Sequence, residues 1–329
     1  MNNLKKIGLS ALASSLVAIS ANAGELSVSG GVELTYTDTG GNQGNEITGN
    51  ALGANSGVTF AGSGDVGFGT VSVTRSINDT NTGWGSSFQT LDMGDMGVFS
   101  FDSYGGALVG STANDDLLPT AYEESWTGVS GSGVKGVGST NVLGYRNTFG
   151  TVSVSAGYSN GGAAAQGEST AGGAGNHGSK ADVSVTHSAD GLMVNVGYAV
   201  NSGTDTSTAS KETTSTNVQG TYTMGAVSFG ARMTQIDNGT ADTANREVQA
   251  MSVAFNVNEN FALSYGIQDT EVKAVGSTTA AVTEEVTGIS AAYTMGAASV
   301  RMNRSTSDDD NGVVGASDET TEISLVLSF

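Results

Sequence analysis

Apolar and polar residues alternate strictly in segment after segment of this chain, and that alternation limits its fold more than any other feature. Leu26, Val28, Val32, Leu34 and Tyr36 share one parity, while Glu25, Ser27, Ser29, Glu33, Thr35 and Thr37 hold the other. A period of two puts the first set on one face of a strand and the second on the opposite face. Val152, Val154, Ala156 and Tyr158 oppose Ser153, Ser155 and Gly157 in the same way. So do Val227, Phe229, Ala231 and Met233 against Ser228, Gly230 and Arg232. Leu192–Val200, Phe261–Ile267 and Ile323–Phe329 repeat the pattern. A hydrophobic content of 37% with a net charge of −20 would otherwise suit a disordered chain. The ordering of the apolar residues excludes that reading.

The strands come in pairs. Tight turns at Gly62–Gly69, Met93–Gly97, Thr148–Gly150, Ala189–Gly191, Met224–Ala226, Asn258–Asn260 and Met295–Ala297 join neighbouring runs. The other ends carry longer Gly/Ser/Asp-rich segments, around 38–54, 79–86, 105–138, 160–178, 201–213, 237–245, 271–283 and 307–318. Seven short turns and eight long loops predict sixteen strands, the last closing on the first. This is the pattern of an all-β, antiparallel transmembrane β-barrel with short periplasmic turns and long extracellular loops. Closure satisfies every backbone group in lipid and leaves no edge strand. A soluble β-sandwich also alternates, but it needs a second apolar layer and does not segregate long from short connections. Tyr145, Tyr222 and Tyr293 lie near short turns and Tyr36, Tyr158 and Tyr198 near long loops, two levels that suit interfacial girdles.

The N-terminus reads as an export signal. Lys5 and Lys6 precede a mostly apolar Ile7–Ser20, and Ala21-Asn22-Ala23 is an A-x-A cleavage site. Residues 1–23 are therefore expected to be removed after passage through the inner membrane, leaving 24–329 as the barrel in the bacterial outer membrane. The exported chain has no cysteine, so disulfides do not hold it. Its acidity repels nucleic-acid phosphates, and no basic cluster offsets this.

Motifs that would carry chemistry are weak. Gly62–Gly67 and Gly131–Gly136 match G-x-G-x-x-G, but neither opens a helix. Gly157–Gly161 matches G-x-S-x-G, but it runs from a strand into a loop. His177 and His187 have no carboxylate or cysteine pattern around them. No enzyme and no resident cofactor are expected. Asp308-Asp309-Asp310 is a solvated charge run, with Ca²⁺ binding, or divalent bridging to anionic lipid, as its alternative.

Several segments resemble the Gram-negative general porins, which are sixteen-stranded and usually trimeric. Asn55–Gly62 followed by Gly64–Gly69 is similar to that family's second strand and turn, and Met93–Phe101 to its next hairpin. Asn141–Arg146 is similar to the strand after its third loop, and Thr321–Phe329 to its C-terminal strand. The resemblance implies passive diffusion of ions and small hydrophilic solutes, a homotrimer, contact with outer-membrane lipid and lipopolysaccharide, and a terminal Phe329 read by the barrel-insertion machinery. A non-conducting surface barrel or adhesin is the alternative.

The resemblance also implies that the third loop, about 105–138, folds into the barrel and narrows it. This loop holds the single proline, Pro119, and the acids Asp115, Asp116, Glu123 and Glu124. Parity supplies basic partners. Arg232 sits between outward Ala231 and Met233, and Arg301 between outward Val300 and Met302, so both should point into the lumen. Six residues above a turn, at a rise of ~3.3 Å and a tilt near 40°, places them about 15 Å up. Arg146 also faces inward, nearer the periplasmic turn. Arg75 shares the parity of Val71, Val73 and Ile77, which predicts the rim, a bulge or a subunit contact. Arginines facing acids across water create a transverse field, with salt bridging that pins the loop as the alternative, and both can hold; the excess of acids predicts a cation-preferring pore.

Overall fold

The computed structural model describes residues 24, 26–42, 49–79, 84–104, 116–131, 133–138, 140–160, 178–202, 212–238, 245–273 and 281–329. The expected export signal, residues 1–23, lies outside them, as do Asp115 and His177. The period-two segments form β1 (Leu26–Gly41), β2 (Leu52–Asp65), β3 (Thr70–Asn78), β4 (Trp84–Asp92), β5 (Val98–Tyr104), β6 (Val142–Phe149), β7 (Val152–Ser159) and β8 (Lys180–Ala189). They continue as β9 (Leu192–Asn201), β10 (Thr213–Met224), β11 (Val227–Asp237), β12 (Asn245–Asn258), β13 (Phe261–Lys273), β14 (Val282–Met295), β15 (Ala298–Asp308) and β16 (Ser317–Ser328). Each strand pairs antiparallel with its sequence neighbours, and β16 returns to β1 from Gly31↔Ser328 to Gly41↔Asp318, closing a sixteen-stranded barrel. The terminal residue completes the seam: the Phe329 N–H donates to the Gly30 carbonyl at 2.8 Å, and the Gly30 N–H returns a bond at 2.9 Å.

Alternation becomes a lipid-facing outside and a polar inside. Leu192, Val194, Val196 and Tyr198 on β9 are exposed outward, while Asn195 between them is buried. Tyr222 and Tyr293 near the short turns and Tyr36, Tyr158 and Tyr198 toward the long loops are all exposed, which gives the two tyrosine levels. Strands run further than the apolar pattern does. The register pairs Asp269 with Glu285 and Glu285 with Asp308, so three outward-facing acids form a row across β13, β14 and β15. Such a row cannot sit in hydrocarbon, so it marks the upper edge of the lipid-facing band. The ladder continues above it because backbone pairing does not need apolar side chains. The segments expected as loop from 271 and from 307 are for that reason partly strand, to Lys273 and Asp308.

Arg75 lies on the outer face, half-buried, opposite Phe60 and Ser87 and flanked by register shifts at Ser76/Ile77 and Ser87/Phe88. Its guanidinium donates to the Thr74 and Phe88 carbonyls at 2.8 and 3.3 Å. The Gln89 amide, turned to present its oxygen, accepts both ends of the fork at 3.0 and 2.7 Å. Of the rim, bulge or subunit contact that its parity predicts, the register shows bulges beside it, and neighbouring carbonyls meet the charge.

Candidate pore constriction

A barrel wall that faces water should be polar inside, yet Val248, Ala250 and Val286 occupy inward positions and are buried. What covers them is the segment between β5 and β6. Its residues 116–131 and 133–138 lie inside the barrel, and Leu118, Trp126 and Val129 join Ala250 and Val286 in one apolar cluster. Among the described residues this buried apolar cluster is a contact between the lumen loop and the wall, and burying it holds the loop in place.

Small inward residues make the seat. A side chain added at Gly230 would collide with Pro119, and one at Gly288 with the Ser125 backbone. A Cβ at Gly266 would come within 3.1 Å of the Ser125 side chain. These three glycines lie on β11, β13 and β14, where the loop presses directly on the strands. Hydroxyls and amides complete the contact. Ser252 Oγ donates to the Pro119 carbonyl at 2.9 Å, and the Ala121 N–H to Ser264 Oγ at 2.9 Å. The Leu117 N–H donates to Gln219 Oε1 at 3.0 Å, and the Val137 N–H to Asp182 Oδ2 at 2.9 Å.

Arg232 projects inward as its parity requires, but it does not face the acids across water. Its Nη1 lies 2.6 Å from Asp116 Oδ2, with side-chain exposures of 0% and 8%. Its Nη2 donates to Gln268 Oε1 at 2.8 Å, and the guanidinium stacks 4.8 Å from the Trp126 ring. The loop sits on Arg232 and the pair anchors it, which is the salt bridging expected as the alternative to a water-facing charge. Glu124 adds its negative field to the same arginine.

Arg301 is the wall arginine left half-open. Its guanidinium lies 5.2 Å from the centre of the Tyr122 ring, and the Tyr122 hydroxyl donates to Glu322 Oε1 at 2.8 Å. Burial pushes the Tyr122 phenol well above its ordinary range; Ser324 acts the other way, and Glu322 and Glu123 add to the rise. It therefore remains a proton donor. Glu123 is half-buried and accepts the Thr127 hydroxyl at 3.1 Å. Arg146 is exposed on the lumen face near the periplasmic turn, away from the loop. Sequence reasoning missed Tyr122 with Glu322 and the glycine seat. A signal existed: apolar Val248, Ala250 and Val286 on the inward parity mark where something must cover the wall.

The three consecutive acids 308–310 diverge. Asp308 faces outward, Asp309 accepts the Gly315 N–H at 2.6 Å, and Asp310 is buried. Among the described residues no group of three or more His, Cys, Asp or Glu gathers in a metal-holding arrangement. His187 lies on the outer face, opposite Val152 and Val194.

A family model described as Gram-negative porin matches residues 8–328. No curated protein matches the chain. Among solved structures, an anion-selective porin from Comamonas acidovorans superposes with a TM-score of 0.65 at 14% identity, over 93% of this chain and 99% of that one. OmpF of Salmonella typhi, solved in complex with daunomycin, gives 0.68 at 12% identity, over 93% and 98%. In-vitro folded OmpT of Vibrio cholerae, in its trimer form, gives 0.67 at 13% identity, over 94% and 100%. Likenesses at these identities concern the fold.

Proposed function

Because the chain belongs to the Gram-negative porin family of the outer membrane, we propose that it forms a water-filled, cation-preferring channel for ions and small hydrophilic solutes. The observation that carries this reading is the lumen loop, anchored to one side of the wall with Arg301 and Glu322 beside it. An anion-selective porin shares the fold, so side chains must set the sign of the preference. Here Asp116 neutralises Arg232 by direct contact, which withdraws one wall arginine from the water. Glu33, Glu123, Glu124 and Glu322 remain on inward-facing or loop positions, and the whole chain carries a net charge of −20. Fixed negative charge along a pore raises the local cation concentration. Phe329, paired across the seam, is read as the signal for the insertion machinery. Assembly as a homotrimer follows the trimer form of a protein with the same fold.

The test is a planar-bilayer recording in a KCl gradient. Stable conductance with a zero-current potential of the sign for K⁺ over Cl⁻ is expected. Anion preference sinks the selectivity, and an absence of conductance in purified, folded protein sinks the channel.

A further inference from the structure

β15 and β16 carry two arginine–glutamate diagonals at the same offset, and only one of them is closed. Arg304 stands opposite Thr321 and Arg301 opposite Ser324; in each case a glutamate lies two residues before that partner, Glu319 in the first and Glu322 in the second. Residues on such a diagonal share a face, about 7–8 Å apart, within reach of long side chains. On the outer face the diagonal closes: Arg304 Nη2 lies 2.7 Å from Glu319 Oε1, although both side chains are well exposed. On the lumen face Arg301 makes no ion pair with any described carboxylate. A pair that forms in open water should form at least as readily beside a loop that displaces water. Something holds it open.

Tyr122 stands between the two charges. Its ring centre lies 5.2 Å from the Arg301 guanidinium, and its hydroxyl donates to Glu322 Oε1 at 2.8 Å. Attraction to the ring face keeps the guanidinium where it is, and a hydrogen bond to a charged acceptor keeps the carboxylate. The tyrosine is itself held by the wall. Its N–H donates to Ser290 Oγ at 3.1 Å, and the Thr120 hydroxyl before it donates to the Glu123 carbonyl at 2.6 Å. We propose that Tyr122 is a positioning residue for selectivity: it keeps Arg301 off Glu322, so the Glu322 charge stays in the lumen for passing cations. Glu322 Oε2 takes no bond from any described residue and is not buried, whereas Arg301 is covered on one side by the ring. An uncharged side chain thus decides which of two opposite charges the water meets. The assignment rests on the reading of the barrel as a conducting channel, but not on the sign of its preference.

The experiment compares Tyr122→Leu, Tyr122→Phe, Arg301→Met and the double variant Arg301→Met with Tyr122→Leu in the folded full-length protein. Zero-current potentials in a KCl gradient give the ratio of K⁺ to Cl⁻ permeability. Tyr122→Leu lets Arg301 close on Glu322, so the ratio should fall about two- to threefold, the effect of one unit charge on an ion about 7 Å away in water. Tyr122→Phe keeps a ring between the charges and should recover most of that loss. With Arg301→Met in place the leucine should change nothing further, because no guanidinium is left to reach Glu322. A fall of equal size in that background overturns the assignment, since the loop itself would then have shifted. A fall as large in Tyr122→Phe as in Tyr122→Leu overturns it too. A crystal structure of Tyr122→Leu reads the same geometry without current. Arg301 in contact with Glu322, as Arg304 is with Glu319, is the expected result, and two charges still apart with the loop in place refute the spacer. Anion preference in the unaltered protein sinks the selectivity proposed above and leaves the shift between variants to be read, and a barrel that does not conduct leaves the crystal structure to decide.

Discussion

Arg232 exemplifies how a residue with the right direction can have a different task. Its inward parity is dictated by its place in β11, but Asp116 and Trp126 cover it completely. Removing one partner of a buried ion pair leaves a bare charge and costs about 3–5 kcal/mol. Arg232→Met should therefore loosen the lumen loop by roughly that amount, with Asp116 left in an apolar site. Proteolysis at the loop in folded protein should accelerate at least tenfold while the barrel itself stays resistant. Unchanged cleavage would show that the apolar cluster alone holds the loop. Arg232→Met with Asp116→Leu should recover most of the loss, because a dry site tolerates two apolar groups better than one charge.

At the level of strands and loops, the glycines on β11, β13 and β14 set how close the loop lies to the wall. Gly288→Val introduces branched carbon where the Ser125 backbone already sits. Strand propensity favours valine, so the barrel should still form; what yields is the loop. The expected result is a larger single-channel conductance with weaker ion selectivity, and a conductance equal to that of the unaltered protein would refute the seat. The strands themselves were legible in the sequence because lipid on one side and polar lumen on the other impose a period of two. The short turns were legible for the same reason. The loop's position was not, because its residues follow no period and reach the wall through single contacts at long separation. Leu117 meets Gln219, and Tyr122 meets Glu322, across 102 and 200 residues. Parity gave the direction of Arg232 and Arg301 but could not say which of them the loop would cover.

For the molecule as a whole, the outer surface carries the argument about assembly. Most of the outward residues are apolar, yet Arg75 and Gln89 pair on the outer face of β3 and β4. A guanidinium facing lipid tails is expensive even when its hydrogen bonds are met. A neighbouring copy would shield that face, as the homotrimer proposed above requires. In bilayer recordings, insertion events should come as three equal conductance steps, and unheated samples on denaturing gels should migrate near three times the chain's mass. Single steps with monomer migration would count against the trimer.

The lumen loop leaves the sheet after β5, but the contacts described for it belong to β8 and β10–β16, all later in the chain. Contacts between distant parts of a sequence form slowly, because the closure entropy precedes their reward. The first strands can pair with their neighbours long before the place where the loop belongs exists. The seat of the filter is complete only when β16 has joined the wall, so the order of the sequence ties the finishing of the filter to the finishing of the barrel.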